Sequence, residues 1–173
     1  TFTLRYGWLK KAIDAVREDP AVFTRDDALV RLGVGKNMVR SIRHWGLAPG
    51  ILEEDNDQAN NRGRSIRPSP LGKLLFSRRG LDPYLEDPAT LWLLHWQLAS
   101  SPEGPTTWYW AFNHFPEAEF SKDKLLVGLQ SLAEQAAWKR VASNSLRRDV
   151  DCFIRTYVPS RATRTLVLEE TLD

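Results

Sequence analysis

Cysteine is nearly absent from this chain: Cys152 stands alone among 173 residues. An internal disulfide and a cysteine-rich zinc site are therefore both excluded, and the usage fits a reducing cytoplasm. Nowhere does a run of about 18 apolar residues occur, so no membrane-spanning helix is expected. No basic-then-apolar leader is legible either, and the expectation is a cytoplasmic protein without a membrane partner. His95 has no second His or Cys four residues on, so it reads as a hydrogen-bonded core histidine rather than a metal ligand. Lys and Arg are missing altogether from residues 80–121, which carry six Asp or Glu. That stretch is a poor grip for phosphate.

The positive charge lies on either side of it. Residues 31–79 hold ten Lys or Arg against four Asp or Glu, and residues 122–148 hold six against two, so the net charge of +2 conceals three segments of alternating sign. Basic stretches around an acidic middle suit a DNA binder with a separate partner-facing portion. At 42% hydrophobic content the chain can bury a core for one domain or two small ones. It starts at Thr1 rather than Met and is expected to be a fragment of a longer protein.

From Phe23 the chain reads FTRDDALVRLGVGKNMVRSIRHWGLAPGIL. Thr24 is a candidate N-cap with Asp26 and Asp27 in the first turn, where the helix dipole favours carboxylates, and Gly33 follows the far end. The spacing predicts a helix over 24–32, a glycine turn at Gly33–Gly35 and a second helix over 36–45. In the second helix Met38, Val39, Ile42 and Trp45 share one stripe, while Lys36, Asn37, Arg40, Arg43 and His44 project from the other face. Arg and Lys reach phosphates or guanine edges and Asn pairs with adenine, so such a face suits docking in a major groove. A merely solvated helix face is the ordinary alternative.

After Ile51-Leu52 comes EEDNDQANNRGRS and then Ile66, a turn-rich loop between two short strands. Its returning side carries Arg62, Arg64 and Arg67, placed to lie along a phosphate backbone; the acidic limb from Glu53 to Asp57 opposes that role. Ser69 with Pro70 opens a closing helix whose expected core contacts are Leu71, Leu74 and Leu75. Helix, turn, helix, hairpin, helix is the order of a winged helix-turn-helix.

Before this unit, residues 4–18 form an opening helix with Leu9, Ala12, Ile13 and Val16 in its buried stripe. Tyr6 and Trp8 are expected in the core with them, and Lys10 and Lys11 as weak additional phosphate contacts. After the unit, LDPYLEDP reads as an irregular connector, and Pro88 starts a helix over 88–99 that is apolar on nearly all sides, the mark of a central buried helix. Asp82, Glu86 and Asp87 are the best carboxylate cluster in the chain and read as helix-start charges. Trp108, Tyr109, Trp110, Phe112 and Phe115 cannot all face one side of the helix at 106–115. Those left exposed suit either a stacking platform for unpaired bases or a protein interface, and the lack of positive charge favours the protein.

Ser121 caps an amphipathic helix over 122–137, and a last helix opens at Ser143 or Ser145, with Leu146, Val150, Phe153, Ile154 and Tyr157 inward. The pair fits a second helix-turn-helix as well as a plain helical hairpin. Cys152 borders the inward stripe and is expected to be a packing thiol. Residues 161–173 read as a tail or the start of a further segment.

TLRYGWLKKAIDAV near the start, LGVGKNMVRSIRHWG at 32–46, PSPLGKLLF at 68–76 and LDPYLEDPATLWLLHWQLAS at 81–100 together resemble a bacterial family of unknown function. Its members are encoded in DNA phosphorothioation gene clusters, in the position called SspB. The resemblance implies a protein that handles double-stranded DNA beside the other proteins of a modification and antiviral defence system. It also implies strand nicking with a divalent cation in the complete protein. The residues themselves support DNA binding only: no histidine pair and no Asp…Glu-x-Lys set of the kind a metal-dependent nuclease needs is legible, and no cofactor is expected in this chain. A non-catalytic transcriptional regulator and a protein-binding scaffold are the competing readings. The expected architecture is mainly α: a winged helix-turn-helix over 1–80, a helical domain over 81–160, and the tail.

Overall fold

The computed structural model describes residues 2–60, 63–136, 138 and 142–158; for residues 56–60 and 63–64 it describes the backbone. The described chain is mainly helical with one small sheet, and it divides into two compact units, Thr1–Pro116 and Glu117–Asp173. The boundary expected near residue 80 falls inside the first unit.

The first unit is built on α1, Gly7–Glu18, whose stripe of Trp8, Leu9, Ala12, Ile13 and Val16 is buried. Tyr6 is not part of it: it precedes the helix and stands 64% exposed, against the expectation that it joins the core. The second helix also starts later than the capping pattern suggests. Asp19 accepts a hydrogen bond from the Ala21 N–H (3.0 Å), and Thr24 Oγ1 donates back to the Ala21 carbonyl, so this stretch closes as a single 3-10 turn, Val22–Thr24. With Thr24 committed to that turn, α2 runs only Ala28–Leu32 and has no side-chain cap. Its end is as expected, because Gly33 adopts φ +61, a left-handed conformation in which a side chain would be strained.

Helix α3, Lys36–Leu47, packs against α1, and β1 (Leu52–Asn60) pairs antiparallel with β2 (Gly63–Pro68). Ser69 caps α4, Pro70–Phe76: its Oγ accepts from the Gly72 N–H at 2.9 Å and donates to the Gly50 carbonyl at 2.6 Å. Gly72 lies so close to the residue before β1 that an added Cβ would stand 2.0 Å from the Ile51 carbonyl oxygen. That approach sets the rotation of α4. Gly72, Leu75 and Phe76 face inward, and Leu74, an expected core contact, points out at 54% exposure.

The segment after α4 has no regular secondary structure, as expected, but two of its residues are buried. Asp82 is buried and its carboxylate accepts the Glu86 N–H (2.8 Å) and the Asp87 N–H (3.1 Å), while Leu85 is buried at φ +57. Burial opposes the Asp82 charge, but hydrogen bonds from Glu86, Thr90 and Asp87 outweigh it and hold the carboxyl below its usual range. Asp87 then caps α5, Pro88–Ser100, by accepting from the Ala89 N–H. Both carboxylates have structural work at the helix start.

Helix α5 is not the central buried helix that its composition suggests. It packs on α6, Thr106–Asn113, and buries a stripe of Thr90, Leu94 and Leu98, while Trp92 and Trp96, two residues out of phase, stand 71% and 66% exposed. Asn113 Nδ2 ties the hairpin by donating to the Ala99 and Tyr109 carbonyls, both at 2.7 Å. Trp108 of α6 is buried and meets Trp45 of α3 edge to face, ring centroids 5.5 Å apart.

In the second unit α7, Lys122–Gln135, is capped by Ser121 and buries Leu125, Leu126 and Leu129 against α8, Ser143–Tyr157. From α8 come Leu146, Val150, Cys152 and Phe153, with Lys122 and Asp151 paired across the two helices. Tyr157, expected inward, is 40% exposed at the helix end.

Candidate nucleic-acid interface

The first two turns of α3 present Lys36, Asn37 and Arg40 to solvent. Three features hold this surface in place. The turn before it is fixed by Gly33 and by the Gly35 carbonyl, which accepts the Met38 N–H (2.8 Å) and the Val39 N–H (3.0 Å). Ala28, Leu32 and Val39 form a buried cluster with Phe23 and Val34 packed around it, and Lys11 Nζ donates to the last α2 carbonyl, Leu32 O, at 2.9 Å. Behind the helix, Ile42 and Trp45 are fully buried, Trp45 Nε1 donates to the Phe2 carbonyl (2.8 Å), and Ser41 Oγ receives the Phe2 N–H (3.1 Å). Val39, Ile42 and Trp45 of the expected apolar stripe are thus anchored, Met38 is only half-buried, and the opposite face is displayed.

Not all of the expected cations belong to that face. Arg43 turns toward the hairpin and pairs with Glu54 of β1 at 2.8 Å. His44 is half-buried with its ring edge-on to Trp45 (5.3 Å); burial, with the Arg43 charge beside it, lowers its pKa and keeps it neutral near pH 7. Arg67 is exposed on β2 but bonded to Glu53 at 2.7 Å, its partner across the strands, with Asp55 at 3.8 Å. The acidic limb of the hairpin therefore neutralises two of the expected contacts. Arg62 and the side chain of Arg64 lie outside the described residues. Among the eight residues singled out, the structure brings Lys36, Asn37 and Arg40 together on exposed surface.

One basic surface escapes a reading by helix periodicity. Lys10, Asp14 and Arg17 on one flank of α1 line a cleft of about 350 Å³ with Arg78, Pro83 and Tyr84. Arg78 comes from the turn after α4, so sequence distance hides the juxtaposition. Lys10 is paired with Asp14 there. No group of three or more His, Cys, Asp or Glu side chains that could hold a metal occurs among the described residues, and no helix among them is long and apolar enough to cross a membrane.

A family model described as "Protein of unknown function (DUF4007)" matches residues 1–173. Two solved structures share 35% sequence identity with the chain: one described as "Magnesium ion-bound SspB crystal structure", with a TM-score of 0.83, and one as "SspB crystal structure", with 0.84. Each match covers 99% of this chain and 51% of the other, so the chain spans about half the length of those proteins. No curated protein matches the sequence.

Proposed function

This chain belongs to the DUF4007 family, of SspB type, and on that premise we propose that its first unit is a winged helix-turn-helix that binds double-stranded DNA for a bacterial phosphorothioation system. In this reading α3 is the recognition helix and the β1–β2 hairpin the wing. The observation that carries it is the display of Lys36, Asn37 and Arg40 at the start of α3, opposite a stripe locked by Ile42 and Trp45. A helix N-terminus with two cations and an amide enters a major groove with its phosphate-reaching and base-reading groups foremost. Among the described residues, Arg43–Glu54 ties the hairpin to the helix and Arg67 is held by Glu53, which leaves Arg62 and Arg64 as the wing's proposed phosphate contacts.

Strand nicking is assigned no residue in this chain. Asp82 and Asp87 are engaged with backbone N–H groups, and a metal-assisted step needs ligands that can converge on a cation. Magnesium belongs to the description of one solved structure, whose chain is about twice as long. The other proteins of the modification system are the partners expected for the remaining surface.

Fluorescence anisotropy with a labelled duplex tests the reading. The chain should bind, and Lys36→Ala with Arg40→Ala should weaken binding at least about tenfold, which needs about 1.4 kcal/mol. Unchanged affinity in the folded double variant would mean that this face is only solvated.

A further inference from the structure

A helix that exposes two tryptophans one turn apart needs a reason, because large apolar side chains in a contiguous exposed patch mark an interaction surface. Trp92 and Trp96 occupy the same face of α5, at 71% and 66% exposure. They do not stand alone. The ring of Trp92 meets His95 edge-on at 5.6 Å, and His95 meets Phe112 of α6, itself 47% exposed, at 4.7 Å. The result is an aromatic surface that spans both helices of the hairpin.

Its electrostatics decide between occupants. Residues 80–116 contain four Asp or Glu and no Lys or Arg; Glu86 stands exposed before α5 and Glu103 exposed after it. A nucleic-acid strand stacked on these rings would bring its phosphates to two helices that carry no Lys or Arg of their own. An anionic membrane surface would be repelled for the same reason. A guanidinium, by contrast, stacks on a tryptophan face and finds a carboxylate at either end of the helix.

We propose that the Trp92–Trp96–Phe112 face is the docking site for an arginine-bearing basic segment of a partner protein. Tryptophan supplies the contact area and the flanking Glu86 and Glu103 supply the steering, the combination of aromatic centre and charged rim common to specific interfaces. The inference deepens the protein-partner part of the proposed function and does not depend on the DNA-binding part, since no residue of α3 takes part in it.

The test titrates the 173-residue chain with labelled peptides of equal length that pair leucine with arginine, with lysine or with glutamate. The arginine peptide should bind saturably with a change in tryptophan emission, the lysine peptide more weakly, and the glutamate peptide not at all. Trp92→Ser with Trp96→Ser should reduce arginine-peptide affinity at least about tenfold. Glu86→Lys with Glu103→Lys, which leaves the rings intact, should weaken it in proportion to the fall in salt dependence. Duplex affinity should be unchanged in the tryptophan variant. Equal binding of the glutamate peptide, or full affinity in the tryptophan variant, would overturn the proposal. So would self-association or single-stranded DNA binding that disappears with the same two tryptophans, since a second copy or a nucleic acid would then be the occupant.

Discussion

Helices α3 and α5 are almost equal in length, 12 and 13 residues, and both carry tryptophan, yet they use it in opposite ways. Trp45 of α3 is fully buried and meets Trp108 edge to face, so the exposed face of α3 is left to Lys36, Asn37 and Arg40. Trp92 and Trp96 of α5 are on the outside, and the helix is held from within by Leu94 and Leu98. One helix therefore presents charge over an aromatic anchor; the other presents aromatics over an aliphatic one. A surface for a polyanion and a surface for a protein differ in just this respect.

The largest effect expected from this contrast is on stability. Trp45→Ala should cost roughly 3–5 kcal/mol, because it removes a large buried ring and its hydrogen bond to Phe2. Trp92→Ala should stay within about 0.5 kcal/mol of the parent, as surface substitutions do. Chemical denaturation of the two variants side by side checks both, and similar losses would break the comparison. A smaller loss, about 1–2 kcal/mol, is expected for Ser69→Ala, which deletes the α4 cap and leaves the Gly50 carbonyl without its donor.

Below these in size comes the hairpin's influence on α3. Glu54→Gln removes a half-exposed ion pair and should change stability by no more than about 1 kcal/mol. It should also release Arg43 toward DNA, raising the salt slope of duplex affinity by about one. The smallest effect is a pH dependence. Burial lowers the folded pKa of His44 and, less deeply enclosed, of His95. The unfolded chain then binds more protons as pH falls below the ordinary histidine value of about 6.5, so their stabilisation is complete above that value and is lost below it. Melting curves on both sides of it should show the decline, and His44→Gln should flatten it more than His95→Gln.

The same contrast explains what was legible in the residues. Helix α3 alternates charge and apolar groups at helical period, so its buried face, its turn and the glycine before it followed directly from pattern. Helix α5 is apolar at almost every position, and a pattern without polar relief cannot say which face meets the neighbour. The exposure of Trp92 and Trp96 depends on where α6 lies. Leu74 was misplaced for a related reason: the close approach of Gly72 to the Ile51 carbonyl, a tertiary fact, sets the rotation of α4. Among the candidate DNA contacts, the exposure of Lys36 and Arg40 was legible from periodicity, whereas the diversion of Arg43 to Glu54 and of Arg67 to Glu53 depends on hairpin register. Cys152 was placed correctly from its position beside Phe153; it is buried, and that burial pushes its thiol up to about 11. Alkylation of the native protein near neutral pH should accordingly be far slower than that of the unfolded chain.

The claim that α3 holds duplex DNA is tested most directly by the salt dependence of binding. Anisotropy titrations at several salt concentrations should give a linear fall of log affinity with log salt, and Lys36→Ala with Arg40→Ala should reduce its slope by about two, one per lost phosphate contact, with the fold intact by circular dichroism. The Trp92→Ser, Trp96→Ser variant should keep the parent slope. An unchanged slope in the α3 variant, or a slope lost through the α5 tryptophans instead, would contradict the assignment.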